Sequence, residues 1–126
     1  MIEKNIKEII SNYEGLSYLD VEDSGEGKLF GVSVDYIDTL LFSEEQYWQW
    51  VNMLDDIDII KPNFQIYCSY DKSGYDFWKN TMEESNYTYI DIWVSDDFSD
   101  SDFTSLISEL DKLVKMFDDF LNKNNL

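Results

Sequence analysis

The side chains with the most evident chemical capacity in this sequence are carboxylates, and the densest group is Asp96-Asp97-Phe98-Ser99-Asp100-Ser101-Asp102, four acids in seven residues. Oxygen donors at that spacing suggest a hard cation such as calcium. An EF-hand loop needs glycine at its sixth position and a bidentate Glu at its twelfth, and no register here supplies both. The run reads better as a helix start, with Ser99 able to cap and the acids placed at the positive end of the dipole. Any cation held there is held weakly. Paired carboxylates also hydrolyse glycosides when one has a raised pKa, but among 27 acids in 126 residues such pairs arise by chance.

Other chemistry is scarce. The chain has no histidine and no arginine, so the usual neutral-pH proton shuttle and the bidentate anion clamp are both missing. No glycine-rich phosphate loop with its lysine is present. Cys68 is the single cysteine, which rules out an internal disulfide and reads as a small apolar residue in a strand. The expectation is a protein that is not an enzyme, with no cofactor and no metal.

Charge is the unusual quantity. The 27 acids face nine lysines, a net charge of −18. A magnitude of about 2–8 already keeps a small domain soluble, and the excess destabilises by self-repulsion. Nucleic acid and anionic membrane are disfavoured as direct partners, because phosphate binding needs a cationic patch. A basic protein is the natural complement. Met1-Ile2-Glu3-Lys4 leads into a charged amphipathic segment unlike a signal peptide, and no stretch reaches transmembrane length, which predicts a cytoplasmic protein.

The 44% hydrophobic and 17% aromatic content suits one packed core over residues 1–126. Ile2, Ile6, Ile9, Ile10 and Tyr13 recur at helical spacing, with a Glu3–Lys7 pair on the other side. Strands are expected over 16–23 and 29–37, the second alternating Phe30, Val32, Val34 and Tyr36 against Gly31, Ser33 and Asp35. Ser43-Glu44-Glu45-Gln46 is a capping box, stapled by Phe42 to Tyr47, opening a helix that buries Tyr47, Trp50, Val51 and Leu54 and ends in Asp55-Asp56-Ile57-Asp58. Acids at that end oppose the dipole.

Phe64, Ile66, Cys68 and Tyr70 alternate as a third strand, and Ile90, Ile92 and Val94 as the inward face of a fourth. The connection over 71–86 is too long for a simple hairpin and predicts a helical turn near Tyr75–Met82, in a segment suited to binding. Leu106, Leu110, Leu113 and Phe117 then keep a 3.6 period through a long final helix. The order α-β-β-α-β-β-α predicts an α+β fold: a four-stranded, mainly antiparallel sheet with helices on one face.

Three groups are candidates for a protein-binding surface. Asp55, Asp56 and Asp58 are placed against the stability of their helix end. Asp20, Glu22 and Asp35 form a ridge on the first hairpin, where like charges side by side destabilise a sheet. Tyr67, Tyr87, Tyr89, Asp91 and Trp93 decorate the exposed sheet face with the ring types enriched at binding hot spots.

In size, acidity and lack of catalytic equipment the chain resembles the immunity proteins of bacterial toxin systems and the small phage inhibitors of host defence nucleases. The resemblance is one of type, carried by no motif. It implies a tight one-to-one complex with a basic nuclease toxin or defence enzyme, whose nucleic-acid-binding site the acidic protein would occlude as a polyanion mimic. The competing expectations are a non-catalytic adaptor or structural module of a larger assembly and, third, a carboxylate-based hydrolase.

Overall fold

The computed structural model describes residues 2–71, 75–76, 81–82 and 87–126. Helix α1 (Ile2–Ser11) buries Ile6 and Ile10, one turn apart, and carries the Lys7–Glu3 contact at 3.9 Å on its outer side. Gly15 follows at φ +84°, where an L side chain would be strained, and a Cβ there would also strike the Tyr36 ring. The chain then forms β1 (Leu16–Asp23) and β2 (Gly27–Val34), an antiparallel hairpin. Asp35 and Tyr36, expected inside the second strand, lie just past its end.

Helix α2 (Glu44–Asp55) begins as its sequence specifies: Gln46 N donates to Ser43 Oγ at 3.1 Å and Ser43 N donates to Gln46 Oε1 at 2.9 Å. Tyr47, Trp50, Val51 and Leu54 are its buried residues. Phe42 packs edge-on against Trp50, with centroids 5.9 Å apart, and tilted against Phe120 at 5.8 Å.

Two corrections concern the strands. The acidic run after α2 does not stay one helix end, because Asp58 opens a short strand, β3 (Asp58–Ile60), which returns through Pro62-Asn63 into β4 (Phe64–Tyr70). Proline fits that turn because it fixes φ and needs no donor. The segment expected to hold a helical turn near Tyr75–Met82 instead contains β5 (Tyr75–Asp76) paired with β6 (Thr81–Met82). The rest of that segment, and with it the expected binding role, lies outside the described residues.

With β7 (Thr88–Ser95) the main sheet is antiparallel and five-stranded, not four-stranded, in the order β1-β2-β7-β4-β3. Thr88, Ile90, Ile92 and Val94 are buried on one face and alternate with half-buried Tyr89, Asp91, Trp93 and Ser95 on the other. Val32, Phe30, Ile66 and Phe64 join the buried face.

The long α3 (Asp100–Lys123) lays Leu106, Leu110, Leu113 and Phe117 into this core, and Trp50 donates from α2 to Thr88 Oγ1 at 3.3 Å. All three helices therefore serve the same side of the sheet. Among the described residues no helix covers the other side, and none is long and apolar enough to cross a membrane.

Candidate protein-binding face

A single irregularity decides what is displayed on the face that no described helix covers, hereafter the uncovered face. In β1, Leu16 pairs with Val34 and Tyr18 with Val32, so continued alternation would set Asp20 opposite Phe30 and aim it into the core. The register instead shifts between Tyr18 and Asp20, leaving Leu19 as an extra, half-exposed residue. This β-bulge turns Val21 inward to pair with Phe30 and sends Asp20 and Glu22 outward, opposite Gly31 and Leu29.

The sheet register then aligns two rows across five strands. One runs Asp20, Gly31, Asp91, Tyr67, Asp58; the other runs Glu22, Leu29, Trp93, Gln65, Ile60. With strands spaced about 4.8 Å apart, the three aspartates of the first row recur roughly every 10 Å. A third row, Ser17, Ser33, Tyr89, Ser69, closes one end. There Asp35 accepts hydrogen bonds from Ser17 Oγ and, at 2.5 Å, from Ser33 Oγ.

The ridge and the ring face inferred from sequence are thus one continuous surface. Asp58 belongs to it as well, accepting from Gln65 Nε2 at 2.8 Å. Tyr87 is 65% exposed just before β7 and its ring lies 6.4 Å from that of Tyr89. Asp55 and Asp56 do not join. Asp55 accepts from the Tyr70 hydroxyl at 3.3 Å on the helical side, and Asp56 is the residue that ends α2. The proposed trio at that helix end is therefore split, because β3 carries Asp58 round to the opposite face.

Asp91 sits at the centre. It is half-buried, accepts one hydrogen bond from Ser69 Oγ at 2.8 Å, and has its pKa raised by burial and by the charge of Asp20, partly offset by that hydrogen bond. Tyr67 is raised by burial and then by the charges of Asp91 and Glu22. Among the described residues the ion pairs lie elsewhere, at Lys28–Asp23, Lys61–Glu109, Lys112–Glu109 and Lys115–Asp119 besides Lys7–Glu3. No described lysine neutralises the face.

Gly31 is the residue the sequence reading passed over. A Cβ at this position would come within 2.6 Å of Asp20 Oδ1, so the missing side chain leaves room for that carboxylate beside Asp91. A glycine inside an alternating strand is the available signal for such a close approach.

Elsewhere the chemistry is modest. Cys68 is pushed up to about 12, first by burial and then by Asp91, which suits a packing role. The acids at the start of α3 act as caps: Asp102 accepts from Ser99 N at 2.8 Å and Asn63 Nδ2 at 3.1 Å. Among the described residues no three potential ligands cluster for a metal. Lys4, Lys7 and Lys28 do line one cleft of about 500 Å³, but Glu3 and Asp96 line it too and Asp23 holds Lys28 at 2.8 Å. That cleft is not a phosphate patch. No protein-family model, no curated protein and no solved structure matches the chain.

Proposed function

We propose that this protein is a non-catalytic inhibitor that docks its uncovered sheet face on a basic, nucleic-acid-binding site of another protein, as an immunity protein or polyanion mimic does for a nuclease toxin or defence enzyme. The observation that carries the reading is the row Asp20, Gly31, Asp91, Tyr67, Asp58: carboxylates on alternate strands, none paired with a described lysine, with the Tyr67 ring between Asp91 and Asp58. Surface charge of one sign steers a basic partner into encounter, and rings then supply contact area that charge alone does not. Holding Asp91 half-buried beside Asp20 costs the free protein stability. A cationic side chain seated between them would relieve that cost.

The adaptor reading is favoured by a different row. Leu29, Trp93 and the 69%-exposed Ile60 would suit an apolar dock in a larger assembly. The carboxylate-hydrolase reading has less support, since among the described residues Asp91 lines neither the cleft at Lys4, Lys7 and Lys28 nor the one at Tyr13 and Tyr36.

Salt separates the first two. A complex captured from source cells should weaken steeply between about 0.1 M salt, where charges act over about 10 Å, and about 1 M, where they act over about 3 Å. Retention of an acidic partner indifferent to salt favours the adaptor and rejects the mimic.

A further inference from the structure

The main sheet has two edges, and they differ. At one, β3 is three residues long and is followed by Lys61 and by Pro62, the only proline of the chain. Shortness, lysine and proline each keep an edge from pairing further. At the other, β1 runs eight residues, Leu16–Asp23, with no proline and no lysine among them. It pairs with β2 alone, and among the described residues no other backbone group bonds to residues 17–23. In an antiparallel ladder every second residue of an edge strand turns its N–H and C=O away from the neighbouring strand, so β1 offers a row of backbone donors and acceptors to an extended chain. The bulge interrupts that row at Leu19 and leaves 20–23 as a regular run.

The side chains along this edge select the kind of chain that fits. Asp20 and Glu22 are exposed on the uncovered face, and neither takes part in a described ion pair. Tyr18 and Val21 point to the helical side, where they pack on the core but stay only half-buried, because the sheet stops at β1. A second copy of the protein would bring its own Asp20 and Glu22 to the same edge, with a net charge of −18 on each chain, and like charges side by side destabilise a sheet. A strand of opposite sign meets no such cost.

We propose that β1 accepts an extended basic segment of the partner as an added strand, with cationic side chains beside Asp20 and Glu22 and apolar ones over Val21 and Tyr18. The strand period of two lets one segment present both. Main-chain hydrogen bonds hold such a segment while its alternate side chains supply the selectivity, which is recognition by β-augmentation. The added strand prolongs the row that runs from Asp58 to Asp20. This mode of docking rests on the uncovered face being the contact surface and names the form of the partner segment that meets its margin.

Titration of the full chain with a short, end-blocked peptide of alternating lysine and valine, followed by nuclear magnetic resonance, is the test. A twin peptide methylated at every backbone nitrogen keeps the charge and the side chains and removes the strand donors. The expected result is saturable one-to-one binding, weakened about tenfold or more in the methylated twin, with slowed hydrogen exchange at alternate amides of β1 and none gained in β3. Binding of the twin within about twofold of the parent, with shifts centred on Asp58, Tyr67 and Asp91, would overturn strand addition and leave the uncovered face as the contact. Slowed exchange in β3 in place of β1 would overturn it as well. So would the absence of saturable binding by either peptide, while charge-matched variants of the face, assayed with the whole partner, decide the reading of the face separately.

Discussion

Asp20 and Asp91 flank the same residue, Gly31, from the two strands on either side of it, so two carboxylates share the middle of the uncovered sheet face with no side chain between them. Burial and the charge of Asp20 both raise the pKa of Asp91. In the sign of its pH dependence this differs from a stabilising carboxylate, since the charged form is the one the fold penalises.

Asp91→Asn should therefore modestly stabilise the free protein at neutral pH, because it removes a half-buried charge and its repulsion with Asp20 across the intervening strand. The gain should shrink as pH falls through the raised carboxyl pKa, because protonation relieves the wild type in the same way. Urea denaturation of both proteins at neutral and acidic pH measures this. A destabilised variant at neutral pH would contradict the penalty assigned to Asp91.

Leu19 is predicted to matter as a spacer more than as a side chain. Leu19→Ala should change stability little, since the residue is 51% exposed. Inserting one residue between Gly31 and Val32 should instead give Leu19 a partner, remove the bulge and turn Asp20 toward the core and Phe30 out of it, burying a carboxylate at a cost of several kcal/mol. Thermal melts of the two variants check the contrast. Equal effects would mean that the bulge does not set the face.

Asp102 makes the opposite pH prediction from Asp91. Its pKa is lowered, first by the hydrogen bond from Ser99 N and then by that from Asn63. A depressed carboxylate contributes stability that is present above its unfolded pKa and lost as pH falls through its folded pKa. Asp102→Ala should thus lower the melting temperature at neutral pH, and the difference should close on the acid side of the ordinary carboxylate range. A gap that persists unchanged in acid would assign the loss to packing and not to the cap.

Much of this fold was legible in local chemistry. The Ser43–Gln46 capping box, the isoleucine stripe of α1, the alternation of Ile90, Ile92 and Val94 and the 3.6 period of α3 each report one element through one periodicity. Strand β3 was not legible, because three residues are too few to show alternation and Asp58 continued an acidic run that read as a helix end. The bulge escaped for a related reason. A one-residue slip is invisible in β1 until its partner is known, and pairing is a property of two distant segments. The separate ridge and ring patches were consequently read correctly as outward but not as neighbours.

The central claim, that the uncovered face and not overall acidity makes the contact, is tested most directly by two charge-matched baits. Asp20→Asn/Asp91→Asn and Asp55→Asn/Asp56→Asn remove equal charge from opposite sides of the sheet, and each is compared with the wild type for binding of the basic partner at about 0.1 M salt. The first pair should lose most of the affinity and the second should keep it. Equal losses, or a loss confined to Asp55 and Asp56, would contradict the assignment of the sheet face.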